Sequence, residues 1–122
     1  MVSELSGFEF DRFAVDSNGN LALFATAGEG FVPDFVGEHH EEHSSLSDSL
    51  PAPHAGTPAI WNDYAALGLF VFDWALPGGP YEKRASPTCN ASGTLKTEVL
   101  ALPRLPRFYG SFSAVSEVER WQ

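Results

Sequence analysis

The alternation of apolar and polar positions predicts a β-hairpin near the start of the chain. Residues 8–15 and 21–27 are apolar runs that flank a polar loop at residues 16–20. Asn18-Gly19 in this loop is typical of a tight hairpin turn, because both residue types tolerate a positive φ. The apolar residues of the first strand change faces around Asp11-Arg12, which predicts either a bulge or a strand buried differently at its two ends. The second strand is apolar on both faces, as expected for a covered central strand.

Two helices and an intervening loop are predicted next. Residues 34–46 place apolar and histidine side chains at helical spacing. Residues 44–56 are rich in Ser and Pro, which predicts an exposed loop. Thr57-Pro58 is typical of a helix start, and the apolar stripe that follows ends at Gly68.

The second half of the chain predicts further strands. Residues 69–74 are a short apolar run typical of a buried strand, and residues 81–85 fit an edge strand. Residues 95–102 alternate polar and apolar positions, which predicts a half-exposed strand. Ser111 or Ser113 is expected to cap a last helix. The sequence therefore predicts one α+β domain over residues 1–122, with a mostly antiparallel sheet that begins with the N-terminal hairpin and with two or three short helices.

Composition supports a folded domain and excludes several classes of protein. The chain has 122 residues, of which 43% are hydrophobic and ten are Phe, too apolar for intrinsic disorder. No apolar run approaches the roughly 18 residues of a membrane-spanning helix, and no apolar signal segment stands at the N-terminus, so we expect a cytoplasmic protein without a membrane partner. A single Cys89 excludes an intrachain disulfide and is expected to be a buried, inert thiol. No cofactor is predicted, and nothing in the sequence identifies a reaction.

The charge is strongly acidic and concentrated in the first half of the chain. The formal net charge is −9, which excludes electrostatic binding of nucleic acid. One stretch without any Lys or Arg contains the acids that we predict as partner-binding residues: Glu29, Asp34, Glu38, Glu41, Glu42 and Asp48. This stretch is either a solvated surface that keeps the protein soluble or a docking site for a basic protein partner.

A histidine-rich segment within this stretch offers an alternative function. His39 and His43 are four residues apart, so on a helix they share a face and could bind one metal ion, with His54 as a conceivable third ligand. The spacing does not match the zincin motif, whether the motif is read from His39 or from His40. The competing interpretation is a structural or solvated histidine cluster. We also expect the neighbouring carboxylates to favour the protonated forms of these histidines. The alternative function is a small-ligand protein, metal-binding protein or enzyme that uses this segment.

Parts of the chain resemble a known class of small bacterial proteins. The hairpin residues 8–16 and 21–28 with Gly19 between them, together with residues 65–74, resemble small uncharacterised bacterial proteins of the kind that include immunity proteins of polymorphic toxin systems. The resemblance implies a small, acidic, cytoplasmic protein that neutralises a toxin by covering its active site. The function predicted here is therefore an acidic protein-binding module, with a basic toxin domain as the expected partner. The sequence predicts no oligomeric state.

Overall fold

A six-stranded mixed sheet is the framework of the protein. The computed structural model describes residues 11–25, 39–74, 80–103 and 105–118. The strands are β1 Asp11–Asp16, β2 Leu21–Ala25, β3 Phe70–Trp74, β4 Tyr81–Ala85, β5 Arg107–Phe108 and β6 Glu117–Val118, and the helices are α1 His40–Ser49, α2 Ile60–Ala65 and α3 Gly93–Leu100. The strand order is β5-β1-β2-β3-β4-β6, with parallel pairing only for β1 with β5 and for β2 with β3. The predicted α+β class, with a mostly antiparallel sheet and an N-terminal hairpin, is confirmed.

The hairpin forms as the turn residues predict. Its register runs without a break from Asp11 opposite Ala25 to Val15 opposite Leu21, so the bulge considered at Asp11-Arg12 is absent. Gly19 has a φ of 81° in the turn. The carboxylate of Asp16 accepts hydrogen bonds from the loop N–H groups of Asn18 and Asn20 and, across the fold, from Phe112. Asp16 is therefore a structural residue that holds the turn.

Both faces of the central strands are covered, which explains their apolar runs. The core on the helical side contains Phe13, Val15, Leu21, Leu23, Tyr64, Leu69, Val71, Leu95 and Val99. The core on the opposite face contains Ala14, Ala22, Phe24, Phe70, Phe72, Tyr81, Phe112 and Val118. Alternate residues of β1, β2 and β3 belong to opposite cores, because both sides of these strands are buried, while residues 8–10 of the predicted first strand lie outside the described residues. The buried strand predicted at residues 69–74 is confirmed as β3.

The first helix extends further than the sequence predicts. α1 ends at Ser49, so the part of the predicted loop before residue 50 is helical, while residues 34–38 lie outside the described residues. The hydroxyls of Ser47 and Ser49 donate hydrogen bonds to the carbonyls of Ser44 and Leu46. These bonds accommodate serine within the helix, and Leu46 anchors this part against the helical-side core.

The second helix forms within the predicted residues but begins at Ile60, two residues later than Pro58 predicts. The hydroxyl of Thr57 accepts a hydrogen bond from the N–H of Ala59 just before α2, and Gly68 follows the helix with a φ of 94°. Like α1 and α3, this helix is short. Within the described ranges, no helix is long and apolar enough to cross a membrane.

The strand predicted at residues 95–102 is wrong, because these residues belong largely to α3. The hydroxyl of Ser92 accepts a hydrogen bond from the N–H of Leu95 at 3.0 Å and caps the helix. Leu95 and Val99 are four residues apart and both are buried, so the alternating pattern also fits one face of a helix.

The last helix predicted after Ser111 or Ser113 is also wrong within the described residues. Phe112 is fully buried in the core opposite the helices, and Glu117–Val118 forms β6 beside β4. The segment is held by its aromatic side chain and by strand pairing, which override the helical spacing of its valines. β4 is consequently covered by β6 over part of its length and is not the outermost strand.

Replacing the cap of α3 tests the corrected assignment. Ser92→Ala should lower the free energy of unfolding by about 1 kcal/mol, because the N–H of Leu95 loses its acceptor. Thr94→Ala, an exposed position in the same helix, is the control and should change stability by less than about 0.5 kcal/mol. Urea denaturation measures both values, and equal stabilities of the two variants would contradict the capping role.

Candidate protein-binding surface

α1 presents three of the predicted partner-binding acids. The side chains of Glu41, Glu42 and Asp48 are exposed, whereas His43 and Ser47 on the same helix are buried. Helical periodicity places Glu41 and Asp48, which are seven residues apart, on one side of the helix. The remaining predicted partner-binding residues, Glu29, Asp34 and Glu38, lie outside the described residues.

The first turn of α1 stabilises its own acids. Glu41 and Glu42 lie at the positive end of the helix dipole. A hydrogen bond from its own backbone N–H lowers the pKa of Glu42, and the ring of His39, 3.5 Å away, lowers it further. Glu42 is therefore anionic at neutral pH.

Acids from three elements lie around Tyr64. Burial is the largest cause that raises the pKa of Tyr64 to about 12, and the nearby charges of Asp11, Asp48 and Asp63 raise it further. These carboxylates come from β1, α1 and α2, so the fold brings them to the same side of the sheet. We define the acidic face as the exposed Glu41, Glu42 and Asp48 of α1 together with Asp11 and Asp63 beside Tyr64.

The segment that supplies most of this face contains no strongly basic residue. Residues 13–82 contain no Lys or Arg, and Arg12 is fully buried. Its guanidinium carbon lies 4.6 Å from the ring centre of Phe24 and 5.3 Å from that of Tyr81, both in the core opposite the helices. The charge of Arg12 thus lies behind the sheet as seen from the helices.

The structure places the two predicted metal ligands in different environments. Nδ1 of His43 accepts a hydrogen bond from the N–H of Phe13 at 3.0 Å, and its Nε2 is buried without a hydrogen-bond partner among the described residues. His39 contacts Glu42 at the helix start and is partly exposed. Burial, followed by the charge of Arg12, lowers the pKa of His43 to about 4. The expectation that the carboxylates favour a protonated imidazole is therefore wrong for His43, because burial outweighs Glu42.

His54 binds a carboxylate and stabilises a loop. Its Nδ1 and its backbone N–H each lie 2.8 Å from an oxygen of Asp63, whose side chain is only 9% exposed. The hydrogen bond from the imidazole is the largest cause that lowers the pKa of Asp63. Among the described residues there is no group of three or more His, Cys, Asp or Glu side chains that could hold a metal ion.

Two cavities open on the helical side of the described structure. A cleft of about 650 Å³ lies where α2 faces β3 and β4, lined in part by Trp61, Asp73 and Arg84. A second cavity of about 330 Å³ lies beside α3 and Cys89. Cys89 is exposed, and its thiol donates to the carbonyl of Ala66 at 3.0 Å, so the expectation of a buried thiol is wrong.

Sequence reasoning missed the contribution of Asp63 to the acidic face and missed the cleft. Both depend on tertiary packing: Asp63 is separated from α1 in the chain, and Asp73 and Arg84 come from two strands. The only signal in the sequence was the absence of Lys and Arg over residues 13–82, which also includes α2 and β3.

Comparison with known proteins yields no assignment for the chain. No family model matches it, and neither the curated proteins nor the solved structures contain a significant match.

Proposed function

We propose that this protein is a cytoplasmic binding module that docks a basic protein partner through the acidic face. The observation that carries the proposal is the exposure of Glu41, Glu42 and Asp48 on α1, with the partly buried Asp11 and Asp63 near Tyr64 adding to the negative field. No Lys or Arg occurs between residues 13 and 82 to neutralise them. Such a surface attracts a cationic partner over distances beyond contact and orients it before binding.

A toxin domain is the partner that we propose. The support is the resemblance of the hairpin and of residues 65–74 to small uncharacterised bacterial proteins of the kind that include immunity proteins of polymorphic toxin systems. An acidic surface would neutralise a basic toxin by covering the site where the toxin binds its own anionic substrate. The proposal requires binding only, and no catalytic group of this chain takes part.

Paired charge reversals test the proposal. The wild-type protein is used to capture partners from the lysate of its source, and a basic protein recovered in stoichiometric amount is then purified. Glu41→Lys/Glu42→Lys should slow its association about tenfold at low salt and flatten the salt dependence of the rate. The control Glu98→Lys/Glu117→Lys changes the net charge equally at exposed positions on α3 and β6 and should slow association less than about twofold.

Several outcomes would contradict the proposal. If both variants slow association equally, only the net charge matters and the acidic face has no special role. If neither variant changes the rate, electrostatic docking is refuted. If the folded wild-type protein captures no basic protein from a lysate that expresses candidate toxins, the proposed class of partner is wrong.

A further inference from the structure

The cleft beside α2 has walls of different chemistry. Thr57, Pro58, Ile60 and Trp61 line one side, and Asp73 of β3 and Arg84 of β4 line the other. The cleft is shallow and open to solvent, with a volume of about 650 Å³, so it has room for one side chain without enclosing it. Every lining residue except Arg84 belongs to the part of the chain that lacks Lys and Arg.

Asp73 lies in this cleft, and its charge is compensated only in part, by Arg84. Its Oδ2 is 3.8 Å from Nε of Arg84, too far for a hydrogen bond, and its side chain is 23% exposed. No hydrogen bond to this carboxylate occurs within the described part of the chain. A partly buried carboxylate that shares its only described cationic neighbour with a second carboxylate favours a further cation.

Arg84 forms ion pairs with both Asp73 and Glu82, so it is shared between two carboxylates. Its Nη2 lies closer to Glu82, at 3.3 Å, than its Nε lies to Asp73. One guanidinium therefore stands beside two carboxylates, which leaves a net charge of −1 in this group. An anionic ligand would have to approach Arg84 against both carboxylates, whereas a cation meets an excess of negative charge.

We propose that this cleft binds a long cationic side chain, lysine or arginine, of the protein partner. The aliphatic part of such a side chain packs against Pro58, Ile60 and Trp61, while its charged end reaches Asp73. An indole is also the aromatic group that attracts cations most strongly. The identity of the partner rests on the proposed function, but the preference of the cleft for a cation can be measured without it.

Small probes measure that preference directly on the full chain. The probes are Nα-acetyl-arginine amide and Nα-acetyl-lysine amide, with Nα-acetyl-norleucine amide as the neutral compound of similar length. The NMR signal of the Trp61 indole N–H, assigned by comparison with Trp61→Phe, reports occupancy of the cleft. We expect saturable millimolar binding of a cationic probe and about tenfold weaker binding of the neutral one, as loss of the ionic contact implies.

Substitution of the carboxylate provides the second readout. Asp73→Asn should lower the affinity for the cationic probe about tenfold and leave the affinity for the neutral probe unchanged, because only the ionic contact is lost. Glu98→Gln removes the same charge from exposed α3 and should change neither affinity more than about twofold. The spectra of both variants show whether the fold is intact, and if Asp73→Asn does not fold, the comparison of probes on the wild type still decides.

The outcomes separate this inference from the proposed function. Equal binding of neutral and cationic probes, no shift of the Trp61 signal at saturating probe, or an unchanged affinity in folded Asp73→Asn would each overturn it. Glu41→Lys/Glu42→Lys should bind the free probes within about twofold of wild type, because the cleft itself is unaltered. If the cationic probe binds but no basic protein partner is found, the proposal for the cleft is supported and the proposed function is refuted. If a basic protein partner binds but the probe does not, the proposed function is supported and the proposal for the cleft is refuted.

Discussion

Between pH 7 and pH 4, protonation linked to His43 should lower the free energy of unfolding by about 3 kcal/mol. The pKa of His43 falls from 6.5, its ordinary value, to about 4 in the folded protein. Below pH 6.5 the unfolded chain therefore binds a proton that the folded protein excludes. The stability contributed by the neutral imidazole is present above pH 6.5, declines as the pH falls and is fully lost below pH 4.

The structural cause is the position of His43 at the edge of β1. The N–H of Val15 donates to the carbonyl of Pro106, where β5 begins, whereas the N–H of Phe13 donates to Nδ1 of His43. The imidazole thus supplies the acceptor that β5 is too short to provide. A proton on Nδ1 would abolish this hydrogen bond and place a charge in a buried site, where, among the described residues, Arg12 and His39 oppose it and only Glu42 favours it.

Denaturant unfolding at several pH values measures this effect in wild type and in His43→Gln. The variant has no imidazole to titrate, so the difference in pH dependence between the two proteins isolates His43 from the carboxylates. The control His39→Gln removes a partly exposed imidazole whose charge is the smallest cause of the His43 shift, so it should keep most of the wild-type pH dependence. Parallel profiles for wild type and His43→Gln would show that His43 is not the cause.

Local patterns predicted the elements that local interactions determine. The hairpin depends on Asp16 and Gly19, and α2 depends on Thr57 and Gly68, all within a few residues of the structure that they define. α3 was misinterpreted because its buried Leu95 and Val99 satisfy helical and alternating patterns at once. The cap at Ser92 decides between these patterns, and its hydrogen bond to the N–H of Leu95 is visible only in the structure.

The candidate sites required pairings that are distant in sequence. The parallel pairing of β2 with β3 carries Asp73 to the position opposite Ala25, and the antiparallel pairing with β4 places Glu82 opposite Asp73. These strand registers are set by the packing of both cores together. No short segment of the sequence therefore predicts which residues lie opposite Asp73. The acidic stretch was visible as composition, but its continuation through Asp63 depends on how α2 packs on the sheet.

Gly68→Ala should destabilise the protein by about 3 kcal/mol, because Gly68 meets two independent constraints. Its φ of 94° belongs to the region that side chains disfavour. The N–H of Gly68 donates to the carbonyl of Ala65 and that of Leu69 to Tyr64, the pair of bonds that ends a helix in a Schellman motif. A Cβ at this position would also collide with the backbone N of Ala91.

Gly19→Ala separates the two constraints. Gly19 has a similar φ of 81°, but an added Cβ would have no heavy atom within 4 Å. This variant should therefore lose only about 1 kcal/mol, the cost of the backbone conformation. Thermal and urea denaturation of both variants measure the difference, which is the energy of the close approach between Gly68 and Ala91. Equal losses would mean that residues 90–91 move aside at little cost, and that the contact between the end of α2 and the segment before α3 is loose.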